Sequence, residues 1–219
     1  MLRAILERIE DKVQSLMGTP IQHIVFDIGN VLVHYDPALA YERLIQDEAV
    51  RRAFFNDICN AAWTLEQDRG RSWENGEAVL IEKHPDKEHL IRAFRKNWLQ
   101  MVPHQHEEAV QTMRQLIQSH KDVTLLTNFA ADTFAEASDR FPFFHETRGV
   151  TVSGQIGLVK PEIEIFQHHE RTFDLDRRAT LFIDDNAANI SAARAFGWQT
   201  IGHTPGAPIA PALSSFDIS

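Results

Sequence analysis

Asp184 and Asp185 stand side by side at the end of the apolar run TLFI. Adjacent carboxylates repel one another and resist ionisation together unless something cationic sits between them, so the pair asks for a cation. A third acid, Asp27, closes the run HIVF; Thr127 and Asn128 close VTLL; and Lys160 stands before Pro161, just ahead of a helical stretch. Three carboxylates with few soft competitors suit Mg²⁺, a hard ion that keeps several waters and bridges protein carboxylates to a phosphate. With a phosphate's charge masked in this way, a carboxylate can attack phosphorus and form an aspartyl-phosphate that water then hydrolyses. Asp27, on the first strand, is the natural nucleophile. The hydroxyl of Thr127, the amide of Asn128 and the ammonium of Lys160 would meet the charge that develops on the phosphoryl oxygens. The ammonium would also compensate the acidic pair.

Each residue alone has a plainer role. Asp27 could cap a helix or serve a turn, and Thr127 or Asn128 could cap the helix beginning near Ala131. Lys160 could be a solvated loop lysine. Their common placement at strand ends argues otherwise, because ligands of open parallel sheets bind in the crevice outside the carboxyl ends of the strands.

The elements that must position them follow from periodicity. The pattern predicts strands at 23–27, 123–127, 149–152, 180–183 and 199–201, alternating after residue 118 with helices at 131–138, 162–172 and 187–196. Such alternation implies βαβ units and an α/β fold with a parallel sheet. Between the first two strands the periodic stretches are helical, at 39–45, 49–55, 77–83, 90–99 and 109–117, with breaks at Arg69-Gly70, Asn75-Gly76, His84-Pro85 and Val102-Pro103. This is too long for a crossover and predicts a separate helical subdomain. An amphipathic helix over residues 1–18, stopped by Gly18 and Pro20, would cover an edge of the main domain. The residues from Thr204 onward read as irregular tail.

The chain has 219 residues, a net charge of −9, 43% hydrophobic and 24% charged residues. That is an ordinary globular composition, with no repeat or low-complexity tract. The acidic balance without a basic block excludes nucleic acid as an expected partner. Cys59 is the only cysteine, so no intramolecular disulfide and no cysteine-based zinc site can form, and a reducing cytoplasm is the expected compartment. The charges from Arg3 to Lys12 do not make a signal peptide, and the most apolar stretch, 21–33, falls short of the roughly 18 apolar residues of a membrane span. The expected partner is a small phosphorylated metabolite; the oligomeric state is left open. His104, His106, His168 and His169 lack zinc-site spacing and read as surface or partly buried residues, and Phe141, Phe143 and Phe144 read as core. Trp63, Glu66, Asp68 and Arg69 are specificity candidates or simply an amphipathic helix end.

The order FDIGNVLV, LLTN, VKPE and FIDDNAAN resembles the haloacid dehalogenase-like hydrolase superfamily over nearly the whole chain. The resemblance implies a Rossmann-like core of residues 1–35 and 104–219 and an inserted helical cap of residues 36–103. It also implies that Asp27 is both nucleophile and Mg²⁺ ligand and that Gly29 offers its backbone carbonyl to the metal. Thr127, Lys160 and the pair Asp184 and Asp185 correspond to the remaining motifs. With the segment Trp63 to Gly70, the sequence is similar to bacterial phosphatases of the α-D-glucose-1-phosphate type, which implies a sugar phosphate as substrate.

One position departs from the pattern. Most phosphatases of this superfamily carry a second aspartate two residues after the nucleophile as general acid and base, and here Gly29 stands there. Losing a general acid forfeits roughly 10²- to 10⁴-fold in rate. Either His34 or Tyr35 donates instead, or the leaving group is good enough to need little help, as an anomeric oxygen is. Two other readings compete: a 2-haloacid dehalogenase, for which the Asp184-Asp185 pair would be an unexplained cost, and a catalytically silent phosphosugar-binding protein.

Overall fold

A computed structural model describes residues 19–218; the helix expected over 1–18 lies outside them. Five strands form one wholly parallel sheet in the order β3-β2-β1-β4-β5: β1 (His23–Phe26), β2 (Asp122–Thr127), β3 (Val150–Val152), β4 (Thr180–Asp184) and β5 (Gln199–Gly202). The helices in chain order are α1 (Glu48–Asp57), α2 (Ala61–Asp68), α3 (Trp73–Lys83), α4 (Glu88–Lys96), α5 (Trp98–Met101), α6 (Glu107–Gln118), α7 (Ala131–Arg140), α8 (Ser153–Ile156), α9 (Ile163–Thr172), α10 (Ala187–Phe196) and α11 (Ala210–Leu213). Helices α1 to α5 all fall between β1 and β2.

The strands read as unbroken apolar runs because both sheet faces are covered. Ile24 and Phe26 of β1, Val123 and Leu125 of β2, and Leu181 and Ile183 of β4 enter the larger core. Val25, Leu126 and Phe182 point the other way, into a second core with Ile165, Phe166 and Trp198. The register pairs Phe26 with both Leu125 and Ile183, so β1, β2 and β4 finish side by side. Asp27, Thr127 and Asp184 therefore reach one crevice. Among the described residues, no helix is long and apolar enough to cross a membrane.

Several local expectations give way to tertiary contacts. Asn75-Gly76 does not break the chain but lies inside α3. Gly76 is there because a Cβ would stand 2.5 Å from Oε1 of the buried Gln67, while the Gly76 carbonyl accepts from the Trp63 indole. The helix expected at 39–45 is a 3-10 turn, Pro37–Ala40, capped by Asp36; the chain then drops Tyr41 into the core, where its hydroxyl donates to the Leu90 carbonyl. The helix expected at 90–99 is divided at Asn97 into α4 and α5. The tail is not irregular throughout: Ile209, Leu213 and Ile218 are buried around α11, and Pro211 sits in its first turn, where a missing N–H costs nothing.

His169 is not at the surface. It is fully buried, its two ring nitrogens within 2.9 and 2.8 Å of the hydroxyls of Thr124 on β2 and Thr151 on β3. Burial pushes its pKa down to about 3, so a neutral imidazole ties these strands together. His168 beside it is half-buried. Phe141, Phe143 and Phe144 are core residues, as their run suggested.

Candidate active site

β1 ends one residue short of Asp27, whose Oδ1 accepts the Ile28 amide at 2.7 Å. The turn that follows is fixed by Asn30, which adopts a left-handed backbone (φ 57°) that asparagine tolerates better than most residues. The Asn30 side chain accepts the Tyr35 amide and hydrogen-bonds to Asp185. Sequence reading passed over Asn30; its signal was an asparagine directly after a glycine at the end of a buried strand.

Each of Asp27, Asp184 and Asp185 offers an oxygen, and these oxygens lie within 4.8 Å of one another. A single cation placed among them would be within reach of all three. The Lys160 Nζ stands 2.9 Å from Asp27 Oδ1, 2.7 Å from Asp184 Oδ2 and 3.0 Å from the Leu126 carbonyl oxygen. Lys160 is 2% exposed. Burial alone would lower its pKa, but Asp184 and Asp27 outweigh that and raise it, so the ammonium persists. Burial, opposed by Lys160 and reinforced by Asp184, holds Asp27 up to about 7. Burial and Asp184 raise Asp185 as well.

The sequence-predicted residues converge here, and three of them make contacts beyond those expected. The three Lys160 donors are all spent on protein oxygens, so contact with a substrate phosphoryl would require releasing one. Asn128 accepts the Lys160 amide at 2.8 Å and donates to the Lys160 carbonyl at 2.9 Å; its amide clamps the lysine as well as facing the crevice. Asp184 and Asp185 are unequal. Asp184 is fully buried and already satisfied by Lys160, the Asn186 amide and the Asn189 carboxamide, so it belongs to the fold as much as to an ion. Thr127 is buried at the end of β2 and lines the crevice, and Gly29 lines its rim with no atom within 4 Å of where a Cβ would be.

The donor set fits Mg²⁺. Three carboxylates crowd one site whose buried ammonium contacts only two of them, two of the three have raised pKa values, and every available ligand atom is a hard oxygen. Asp185, half-buried and without a lysine partner, is the clean probe of that fit. Asp185→Asn is expected to weaken Mg²⁺ binding by about 10- to 100-fold or more, with the melting temperature of the metal-free protein unchanged or raised, because a repulsion is removed. Titration calorimetry with Mg²⁺ and a metal-free thermal melt check this. Unchanged Mg²⁺ affinity would take Asp185 out of the ligand set.

Above this floor lies a cavity of about 220 Å³. Six aromatic side chains line its walls, Trp73, Phe94 and Trp98 from the helices between β1 and β2 and Phe129, Phe141 and Phe144 from the sheet side, interspersed with the polar Tyr35, Thr64, Asp68 and Thr133. Of the specificity candidates, only Asp68 lines the cavity. Trp63 packs behind it against Trp73 and Phe94, Glu66 pairs with Arg69, and Arg69 forms a two-point ion pair with Glu162 at 2.6 and 2.8 Å. His34 stacks on His104 and His106 meets both edge-on, at ring separations of 5.1 to 5.9 Å, and none of them lines the cavity.

Residues 21–197 match the family model of the haloacid dehalogenase-like hydrolases. The chain is 24% identical to the sesquiterpene phosphatase astK of Aspergillus oryzae over 193 residues, which is 83% of this chain and 89% of that protein. Two solved structures share the fold. A HAD-like family hydrolase from Porphyromonas gingivalis superposes with a TM-score of 0.74 at 23% identity, covering 92% of this chain and 100% of that one. A HAD family enzyme from Bacteroides thetaiotaomicron, in complex with magnesium and inorganic phosphate, gives 0.66 at 20% identity over 85% and 96%.

Proposed function

The chain belongs to the haloacid dehalogenase-like hydrolases, and on that footing we propose that it is a Mg²⁺-dependent phosphatase that works through a phosphoryl group held on Asp27. The observation that carries this reading is the set of three carboxylates beside one buried ammonium on the floor of a cavity. Asp27, Asp185, Asp184 and the Gly29 carbonyl would hold the ion, which would mask the negative charge of an incoming phosphate. Asp27 attacks phosphorus from the end of β1, where the Ile28 amide orients one oxygen. Lys160 pairs with Asp27 and Asp184, Asn128 holds Lys160, and Thr127 faces the phosphoryl oxygens. A dehalogenase has no phosphate to neutralise and gains nothing from such a floor.

Residues 36–103 act as a cap over a core made, among the described residues, of 19–35 and 104–218. What supports this is that the insertion supplies Thr64, Asp68, Trp73, Phe94 and Trp98 to the cavity and is tied to the core by Arg69–Glu162 and Arg95–Glu136 ion pairs. The cap also bears on the substrate. A sugar phosphate, expected from the motif resemblance, brings several hydroxyls that would lie against Trp73, Phe94, Trp98, Phe141 and Phe144. Each hydroxyl buried without a partner costs about 1–3 kcal/mol. The walls favour a phosphate ester of a chiefly apolar alcohol, a class to which the substrates named for the Aspergillus oryzae relative belong.

Phosphate release from prenyl, aryl and alkyl monophosphates, compared with sugar 1- and 6-phosphates, tests both parts, each with and without Mg²⁺. The apolar esters are expected to lead in kcat/KM by about tenfold or more per well-buried group, with no turnover in chelator. A preference for sugar phosphates would restore the substrate implied by the motifs. Silence across the panel would leave a binding protein.

A further inference from the structure

We propose that Asp68, carried by the helical insertion, is the group that protonates the leaving oxygen, in place of the acid that Gly29 lacks. The inference rests on reading the site as a phosphatase centre.

The position two residues beyond Asp27 has no side chain, and open space surrounds the point where one would begin. A proton must therefore reach the leaving oxygen from another wall. The two neighbours in sequence serve poorly. His34 is stacked on His104, 5.1 Å between ring centres, and does not line the cavity. Tyr35 does line it, but burial and the nearby Asp68 and Asp36 hold its phenol well above the usual range, which makes it a weak acid.

Apart from the acids of the floor, Asp68 is the one carboxyl among the described residues that lines the cavity. It comes from the insertion and not from the loop that carries Asp27, and it is docked on the core. As the last residue of α2, it offers its backbone carbonyl to the Ser153 hydroxyl at 2.6 Å, and the same hydroxyl accepts the Phe129 amide at 2.8 Å. The next residue, Arg69, holds Glu162, two residues beyond Lys160. A cap residue pinned at both the 128–130 and 160–162 loops keeps its place relative to Asp27.

Its protonation suits the task. Burial raises the Asp68 carboxyl to about 7, against the pull of the Ala130 amide and of Lys160. Near neutrality it can hold a proton and release it. The groups that face it are Lys160 from the floor and Tyr35 from the loop after β1. In the first half-reaction a carboxylate oxygen of Asp27 bonds to phosphorus, the bond from phosphorus to the ester oxygen breaks, and the Asp68 proton passes to that oxygen to give the free alcohol. In the second half-reaction, ionised Asp68 takes a proton from water as the water oxygen bonds to phosphorus and the Asp27–phosphorus bond breaks. Inorganic phosphate leaves, and both aspartates are restored.

The test uses the Mg²⁺-loaded protein and a series of aryl phosphates of graded leaving-group pKa, extended to an alkyl phosphate. Wild type is expected to show a shallow dependence of kcat/KM on leaving-group pKa. Asp68→Asn is expected to lose about 10²- to 10⁴-fold on the alkyl phosphate and little on the most acidic phenol, so the dependence becomes steep. With that phenol the variant should release a burst equal to the enzyme concentration, because the phosphorylated protein then waits for water. Adding Gly29→Asp to Asp68→Asn should recover alkyl turnover, since residue 29 has ordinary backbone angles and room for a side chain. A uniform loss across the series would make Asp68 a binding or structural residue and overturn the proposal. A steep dependence in wild type would overturn it without any variant. If wild type hydrolyses no phosphate, the phosphatase reading has failed; an active wild type with an unaffected Asp68→Asn sinks this proposal alone.

Discussion

Asp27→Asn is expected to reduce phosphate release by about 10⁴-fold or more while the protein stays folded. An amide is nearly the same size as a carboxylate but is a poor nucleophile and a weak metal ligand. Its oxygen can still accept the Ile28 amide and the Lys160 ammonium, the two donors that Asp27 Oδ1 now serves. The substitution also removes one of three mutually repelling carboxylates. Asp27 is held up to about 7 chiefly by burial, so its charge is a cost to the metal-free fold rather than a support. Melting in chelator should thus be unchanged or higher. Mass spectrometry of quenched turnover should find a phosphoryl adduct on Asp27 in wild type and none in the variant. An adduct elsewhere, or turnover close to wild type, would take Asp27 out of the nucleophile's place.

Why Asp27 could be read from sequence, and other residues could not, is a matter of range. A parallel strand covered on both faces must be a continuous apolar run, and the first polar residue after it marks the end of the sheet where ligands gather. Asp27, Thr127 and Asp184 follow from that local rule. The state of each side chain does not. That Lys160 has no donor to spare depends on Asp27, Leu126 and Asp184, three residues far from it in the chain, and Asn128 meets the Lys160 backbone across 32 positions. The neutral tie made by His169 needs Thr124 and Thr151 from two different strands. Gly76 signals a turn by every local rule, yet it serves a close approach by Gln67. Asp68 was visible as an acid before a turn, but its place against the cavity is set by the docking of α2 through Ser153 and Glu162.

The same long-range arrangement makes Lys160 the residue whose loss should be felt most widely. Lys160→Met keeps the length and apolar stem of the side chain but leaves Asp27 and Asp184 facing one another without a counter-charge. Removing one partner of a buried ion pair costs about 3–5 kcal/mol, and the metal-free variant should lose stability on that scale. The loss should depend on pH with a definite sign. Without Lys160, the pKa of Asp27 in the folded protein rises above the wild-type value of about 7, and its unfolded value stays near that of a free carboxylate. Between the two the folded state holds the extra proton, so stability falls as pH rises through the folded pKa. The deficit against wild type should be smallest near pH 6 and grow towards pH 9. Mg²⁺ should shrink it at the alkaline end, because an ion that binds only the folded form supplies the missing positive charge and stabilises by mass action. Turnover should drop by about 10²- to 10³-fold even in saturating Mg²⁺, as expected when a fixed charge beside the developing transition state is removed. Denaturant titrations at pH 6, 7.5 and 9, with Mg²⁺ and with chelator, separate this from simple loss of packing. A deficit unaffected by either pH or Mg²⁺ would mean that the ammonium contributes volume and not charge, and the electrostatic account of the floor would fail with it.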